Sequence, residues 1–160
     1  MPQVSPSQAR LLTEARVGHL ATADAAGVPH VIPVCYALAG QVIYSVLDQK
    51  PKRASLARLR RVRNIQANPH IALVVDHYEE DWLSLWYILV LGRAELLWEG
   101  EERVTAIRHL RQKYPQYRDM DIEGSPVIRI TPTKVVSWAA EPARAQRQGG
   151  PSASPGPLTG

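Results

Sequence analysis

Two prolines, Pro29 and Pro33, lie four residues apart inside one of the chain's most β-prone runs, Val28 to Tyr36. A proline has no backbone N–H to give to a ladder, so a strand that carries two of them belongs at a sheet edge or at a bulge. The neighbouring segments build a sheet around that edge. Val17 to Ala23 precedes it through the turn Asp24-Ala25-Ala26-Gly27, and Ala39-Gly40 leads on to Gln41–Leu47. The pattern predicts three antiparallel strands in a meander.

Helical signals flank these strands. Ser5-Pro6-Ser7-Gln8 has the form of a capping box with proline at the first helical position, predicting a short helix to about Arg16. Between Lys50 and Gln66, Leu56, Leu59, Val62 and Ile65 recur every three residues, as one stripe of a helix that Asn68-Pro69 ends. Strands follow at Ile71–Val75 and, after the acidic turn Asp76–Asp81, at Leu83–Leu97, where Gly92 marks a bend or bulge. A helix is expected over Glu99–Tyr114, acidic at its start and basic at its end in keeping with its dipole. Two short strands, Val127–Ile130 and Lys134–Trp138, close the series around Thr131-Pro132. Six or seven strands and three helices make a β-rich, barrel-like α+β domain over residues 1–142. The Gly-, Pro- and Ser-rich stretch 143–160 lacks aromatic residues and is expected to be a disordered tail.

With 160 residues, 45% of them hydrophobic, the chain suffices for one domain with its own core. A single cysteine, Cys35, cannot form an internal bridge, and no basic-then-apolar leader opens the chain, so a cytoplasmic location is expected. The longest apolar run, Leu83–Leu91, is too short to span a bilayer. No Rossmann, P-loop or nucleophile-elbow motif occurs. His77, Glu79, Glu80 and Asp81 lack metal-ligand spacing, so no metal is expected.

The net charge of +4 points to an anionic partner, and its most concentrated source is Lys50, Lys52, Arg53, Arg58, Arg60, Arg61 and Arg63, uninterrupted by an acid. Guanidinium groups grip phosphate oxygens in pairs and lysine adds a point charge, so a phosphate site competes here with an ordinary solvated helix face. Single-stranded nucleic acid is disfavoured, because Lys50–Asn68 holds no aromatic ring on which a base would stack. Tyr44 and Ser45, just upstream, offer hydroxyls that reach a phosphate or serve as plain strand residues. Trp82, Trp86, Tyr87, Trp98 and Trp138 supply flat surfaces that suit either a planar ligand or a core.

In order and spacing these pieces resemble the pyridoxamine-phosphate-oxidase-like flavin and deazaflavin oxidoreductases. The similarity runs from Val17-Gly18-His19-Leu20-Ala21-Thr22 through Gly27–Val34 and Ile43-Tyr44-Ser45. It continues with Arg60–Pro69, Ala72–Asp76 and Gly92-Arg93-Ala94-Glu95. The stretches Lys50–Arg53 and Asp76–Trp82 look most like the subgroup that uses the deazaflavin coenzyme F420. The resemblance implies a six-stranded antiparallel split β-barrel, an FMN-binding split barrel with flanking helices. It also implies a homodimer with cofactor at the subunit interface, coenzyme F420 or alternatively FMN as that cofactor, and hydride transfer to a small-molecule substrate. By the same resemblance, backbone groups of His30, Val31, Ile32 and Pro33 line the cofactor ring. Ser45, with Tyr44 beside it, meets the phosphate, which Arg60 and Arg61 hold with help from Lys50 and Lys52. Trp86 and Tyr87 reach the cofactor from the partner subunit, and Trp138 lies nearby. No general acid or base is assigned. The family's C-terminal Arg-x-His clamp has no counterpart after Glu141-Pro142, which disfavours vitamin B6 oxidation. A carrier or storage module for the same cofactor is the non-enzymatic alternative.

Overall fold

A computed structural model describes residues 4–48 and 56–140. Lys50, Lys52, Arg53 and the tail expected from residue 143 lie outside the described residues. Seven strands form one antiparallel sheet: β1 (Gly18–Ala23), β2 (Pro29–Val34), β3 (Ala37–Ala39), β4 (Val42–Val46), β5 (His70–His77), β6 (Trp86–Leu97) and β7 (Val127–Ala139). Their spatial order is β2-β1-β5-β6-β7-β4-β3. Among the described residues three α-helices accompany them: α1 (Pro6–Glu14), α2 (Arg60–Ala67) and α3 (Glu101–Lys113).

The order of the strands forces the sheet to roll up. β2 and β3 are its opposite edges, yet only Cys35 and Tyr36 separate them in sequence. Laid flat, seven strands at roughly 4.8 Å spacing would hold the edges about 29 Å apart. Three extended residue steps span at most about 11 Å. The edges must therefore approach each other, and the sheet becomes a barrel split along the β2–β3 seam.

The structure departs from the sequence pattern in three ways. The first three predicted strands do not form a meander: β2 pairs only with β1, while β4 pairs with β3 and β7. Pro29 and Pro33, which have no N–H to donate, explain the free side of β2. The two closing strands are one continuous β7, which runs through Pro132. Pro132 lies opposite Gly92, where the β6–β7 register shifts, so the ladder is already broken where proline cannot donate. A Cβ at Gly92 would lie 2.6 Å from the Thr131 carbonyl oxygen, which fixes glycine at the bulge. The strand count is seven rather than the six of the expected barrel, because the three-residue β3 forms the second edge.

Alternation along the strands fills the barrel. Leu20, Leu73, Val75, Ile88, Val90, Ile43, Ile128 and Ile130 point inward, joined by Leu12 of α1 and Val62 and Ile65 of α2. The capping box of α1 is formed in both directions between Ser5 and Gln8. On the outer face of β3, β4 and β7, Ala106, Ile107 and Leu110 of α3 pack with Tyr44, Val46, Val127, Tyr114 and Tyr117 into a second core. Gly100, at φ 98, starts α3 in a conformation that favours glycine. The outer face of β2, β1, β5 and β6 carries apolar side chains in the open, with Val31 at 62% exposure and Leu91 at 37%. Among the described residues no helix is long and apolar enough to cross a membrane.

Candidate functional site

Across the seam, the end of β2, the start of α2 and the end of β4 enclose a cavity of about 370 Å³. Ile32, Pro33 and Val34 form one wall and Ser45, Val46 and Asp48 another, with Val17, Cys35 and Arg61 completing it. Four features of this cleft set its chemistry.

Arg61 is the first. It follows Arg60 on α2, and the helical turn of about 100° per residue sends the two in different directions. Arg60 is exposed, whereas Arg61 is only 9% exposed. Among the described residues its guanidinium makes no hydrogen bond or ion pair. Burial holds its pKa below the ordinary arginine range, and the Asp48 carboxylate pulls it partly back. A buried cation without a hydrogen-bonding partner is costly, and an anion in the cavity would relieve that cost. Leu59, which precedes α2, offers no side-chain cap to the first-turn amides, so the helix adds its own positive end.

Ser45 is the second feature. Alternation on β4 turns Ser45 toward the seam and Tyr44 to the opposite face. The Ser45 hydroxyl is buried and donates to the Cys35 carbonyl at 2.7 Å. Rotation about its Cβ–Oγ bond would redirect that donor into the cavity. Tyr44 instead donates to Glu102 at 2.7 Å beneath α3, in a network that Arg129 joins. Burial foremost, and then the Glu102 carboxylate, push the Tyr44 pKa up.

The third feature is the free edge of β2. Asp24 N–H donates to the Val28 carbonyl, so 24/28 is a hydrogen-bonded pair and the following ones are 22/30, 20/32 and 18/34. Residues 29, 31 and 33 therefore aim their backbone groups away from β1. Two of the three are prolines, so the edge presents three carbonyls and the single N–H of Val31. His30 and Ile32 turn their side chains inward. His30 lies opposite Thr22, whose hydroxyl accepts from the buried Asn64 amide at 3.0 Å, and the His30 Nδ1 is buried without a partner among the described residues.

The fourth is Asp48, with Cys35 beside it. The Asp48 carboxylate accepts from the Tyr117 hydroxyl at 2.7 Å. Burial, followed by this carboxylate, drives the Tyr117 pKa far above its usual value. A further cavity of about 520 Å³ lies on the Tyr117 side, lined by Arg16, Tyr114, Pro115, Gln116, Tyr117 and Met120, and it shares Cys35 and Asp48 with the first.

The fold thus brings Ile32, Pro33, Ser45 and Arg61 to one cavity, with His30 and Val31 along the same strand. Trp86, Tyr87 and Trp138 do not line it. Tyr87 and Trp138 face each other across β6 and β7, stacked at 6.1 Å, and Trp86 stacks on His77 at 6.3 Å. Lys50 and Lys52 lie outside the described residues. No site role was assigned to Asp48, Cys35 or Tyr117 from the sequence. The available signal was Asp48 itself, an acid just ahead of a purely basic run.

The cleft has the donor set for a phosphate: the cavity-lining guanidinium of Arg61 with no hydrogen-bonding partner among the described residues, a buried hydroxyl and an uncapped helix start, next to an acceptor-rich strand edge. A phosphorylated, ring-bearing cofactor fits that set. Among the described residues no three His, Cys, Asp or Glu side chains converge as a metal site.

The chain can now be set beside known proteins. A conserved hypothetical protein of Mycobacterium tuberculosis superposes with a TM-score of 0.70 at 20% identity, over 98% of this chain and 94% of that one. The heme storage protein HutZ of Vibrio cholerae gives 0.64 at 14% identity, over 86% and 94%. An FAD-binding protein of Mesorhizobium loti gives 0.60 at 24% identity, over 83% and 93%. At these identities the likeness is one of fold. No curated protein matches the sequence. The sequence profile of pyridoxamine 5'-phosphate oxidase matches residues 5–139, nearly all of the described chain. With its split barrel and seam cavity, the chain belongs to the pyridoxamine 5'-phosphate oxidase family.

Proposed function

We propose that this chain is an oxidoreductase that holds a phosphorylated flavin or deazaflavin in the seam cavity, with coenzyme F420 as the favoured cofactor and FMN as the alternative. The carrying observation is Arg61: a largely buried residue whose guanidinium, without a hydrogen-bond or ion-pair partner among the described residues, shares one cavity with the Ser45 hydroxyl. Family membership and the fold shared with an FAD-binding protein support a flavin-type ligand. The basic run before α2, which includes Lys50 and Lys52, favours the deazaflavin with its additional carboxylates.

In this reading Arg61 neutralises the phosphate and Ser45 gives it a hydrogen bond. The outward groups of Pro29, Val31 and Pro33 meet the edge of the ring, and Ile32 and Val34 give the site an apolar wall that excludes water. The bound cofactor supplies two-electron transfer to a small organic substrate.

A ring held by the β2 edge would lie close to the uncovered outer sheet, and a second copy of the chain is the natural cover for that apolar face. A homodimer would also let Tyr87 and Trp138, remote from the cavity within one chain, approach the cofactor of its partner.

Titrating the purified protein with coenzyme F420 and with FMN, followed by fluorescence, tests the reading. Micromolar binding of either is expected, and binding of neither refutes it. A binding or storage role without turnover is the second reading, favoured by the fold shared with a heme storage protein. Turnover of reduced cofactor with a panel of acceptors decides between them, and a heme titration by absorbance tests the ligand of that relative.

A further inference from the structure

We propose that Asp48 makes the seam cavity select a phosphodiester ligand over a phosphomonoester. This rests on the reading of that cavity as a phosphate site, and it specifies which class of phosphate the site takes.

Charge carries the first half. Asp48 and Arg61 line the same cavity, and Asp48 is the acid whose field acts on the Arg61 guanidinium. The Tyr117 hydroxyl anchors its carboxylate at 2.7 Å, so the negative charge cannot swing away when an anion enters. A ligand phosphate gripped by Arg61 and Ser45 therefore shares its cavity with a fixed anion. A monoester carries close to two negative charges above its second ionisation at about pH 6. A diester carries one. Coulomb energy is proportional to ligand charge, so Asp48 penalises the monoester twice as heavily.

Space carries the second half. A monoester ends at its phosphate, but here the room does not end there. The cavity of about 520 Å³ beyond Cys35 and Asp48 opens from the same two residues. Its walls include the Tyr114 and Tyr117 rings, which meet edge to face at 5.6 Å. Gln116 and the Arg16 guanidinium, 5.9 Å from the centre of the Tyr114 ring, supply polar contacts. A second substituent on the phosphate would enter this chamber. The neutralising cradle and the chamber beyond it thus describe one ligand: a ring, a singly charged phosphate, and a further group esterified to it.

The test uses ligand pairs that differ only at the phosphate: FMN and its phosphate methyl ester, and the deazaflavin 5'-monophosphate and its methyl ester. Each is titrated by fluorescence at pH 8 into the full chain and into Asp48→Asn, which keeps an oxygen acceptor for Tyr117. Within the ring type that binds, the diester is expected to bind more tightly to the unmodified protein. Asp48→Asn should strengthen monoester binding about tenfold and diester binding only about threefold, following the charge ratio. A monoester that binds the unmodified protein as tightly as its diester overturns the proposal while leaving the phosphate site intact, and this comparison holds even if the variant fails to fold. Equal gains for both partners of a pair in Asp48→Asn also overturn it. If none of the four ligands binds, the phosphate reading falls and the selectivity with it.

Discussion

Replacing Arg61 with methionine separates a ligand-binding arginine from a structural one. Arg61 as a residue is 9% exposed, its guanidinium is unpartnered among the described residues, and burial depresses its pKa, so in the empty protein it costs stability. Methionine has similar length and no charge to desolvate. The ligand-free variant should therefore be as stable as the parent or more so, by about 1 kcal/mol, which for a chain of this size is roughly 2–4 °C in Tm. Binding should move the other way. A hydrogen bond to a charged group is worth about 1.5–3 kcal/mol, so affinity for the phosphorylated cofactor should fall roughly 10- to 150-fold. Fluorescence titration reads the affinity, and thermal melts with and without ligand read the stability. At ligand concentrations near 100 Kd the parent gains about 2.7 kcal/mol, a shift the variant should largely lose at the same concentration. A ligand-free Tm lowered by several degrees with the ligand-induced shift unchanged would refute the reasoning, because Arg61 would then be part of the scaffold.

Ser45→Ala removes a phosphate donor and leaves the Cys35 carbonyl without its partner, so affinity and stability should each fall by about 1 kcal/mol. Titration and a melt check this, and an unchanged affinity takes Ser45 out of the site. Gly92→Ala puts a Cβ 2.6 Å from the Thr131 carbonyl, a backbone atom with no easy retreat, and should cost about 1–3 kcal/mol in chemical denaturation. Stability should pass through a maximum near pH 10. Burial lowers the Lys113 pKa to about 8, so from there to its ordinary 10.5 the unfolded chain binds the extra proton and stability rises with pH. Above pH 10 the buried Tyr36, Tyr114, pushed up to about 12, and Tyr117 keep protons the unfolded chain releases, and stability falls. Urea denaturation between pH 7 and 11 follows both limbs, and a monotonic fall from pH 8 contradicts them. Val31→Lys, on the exposed outer face, should convert a dimer of the 17.8 kDa chain to monomer in light scattering, and a parent that is already monomeric removes the dimer.

Local rules decided much of this molecule. The α1 capping box, the helix stop at Asn68-Pro69, the bulge at Gly92 and the edge position of β2 were all legible, because each depends on a residue's own backbone chemistry. The residues of the proposed phosphate site were legible only as a class. The basic run suggested an anion site beside the plainer reading of a solvated helix face, but the choice between Arg60 and Arg61, or Tyr44 and Ser45, depends on which face of a helix or strand meets the seam.

What the sequence determined by itself was a β-rich domain with a proline-marked edge and a cluster of cations. Tertiary structure alone decided that β2 and β3, neighbours in sequence, become the two lips of a rolled sheet. Strand pairing is non-local, and a two-residue link cannot tell a reader whether the chain turns back on its neighbour or crosses to the far edge. That crossing brings Asp48 and Cys35 into one cavity with Arg61 and opens the second chamber behind them. No spacing along the chain records a meeting made by closing a sheet.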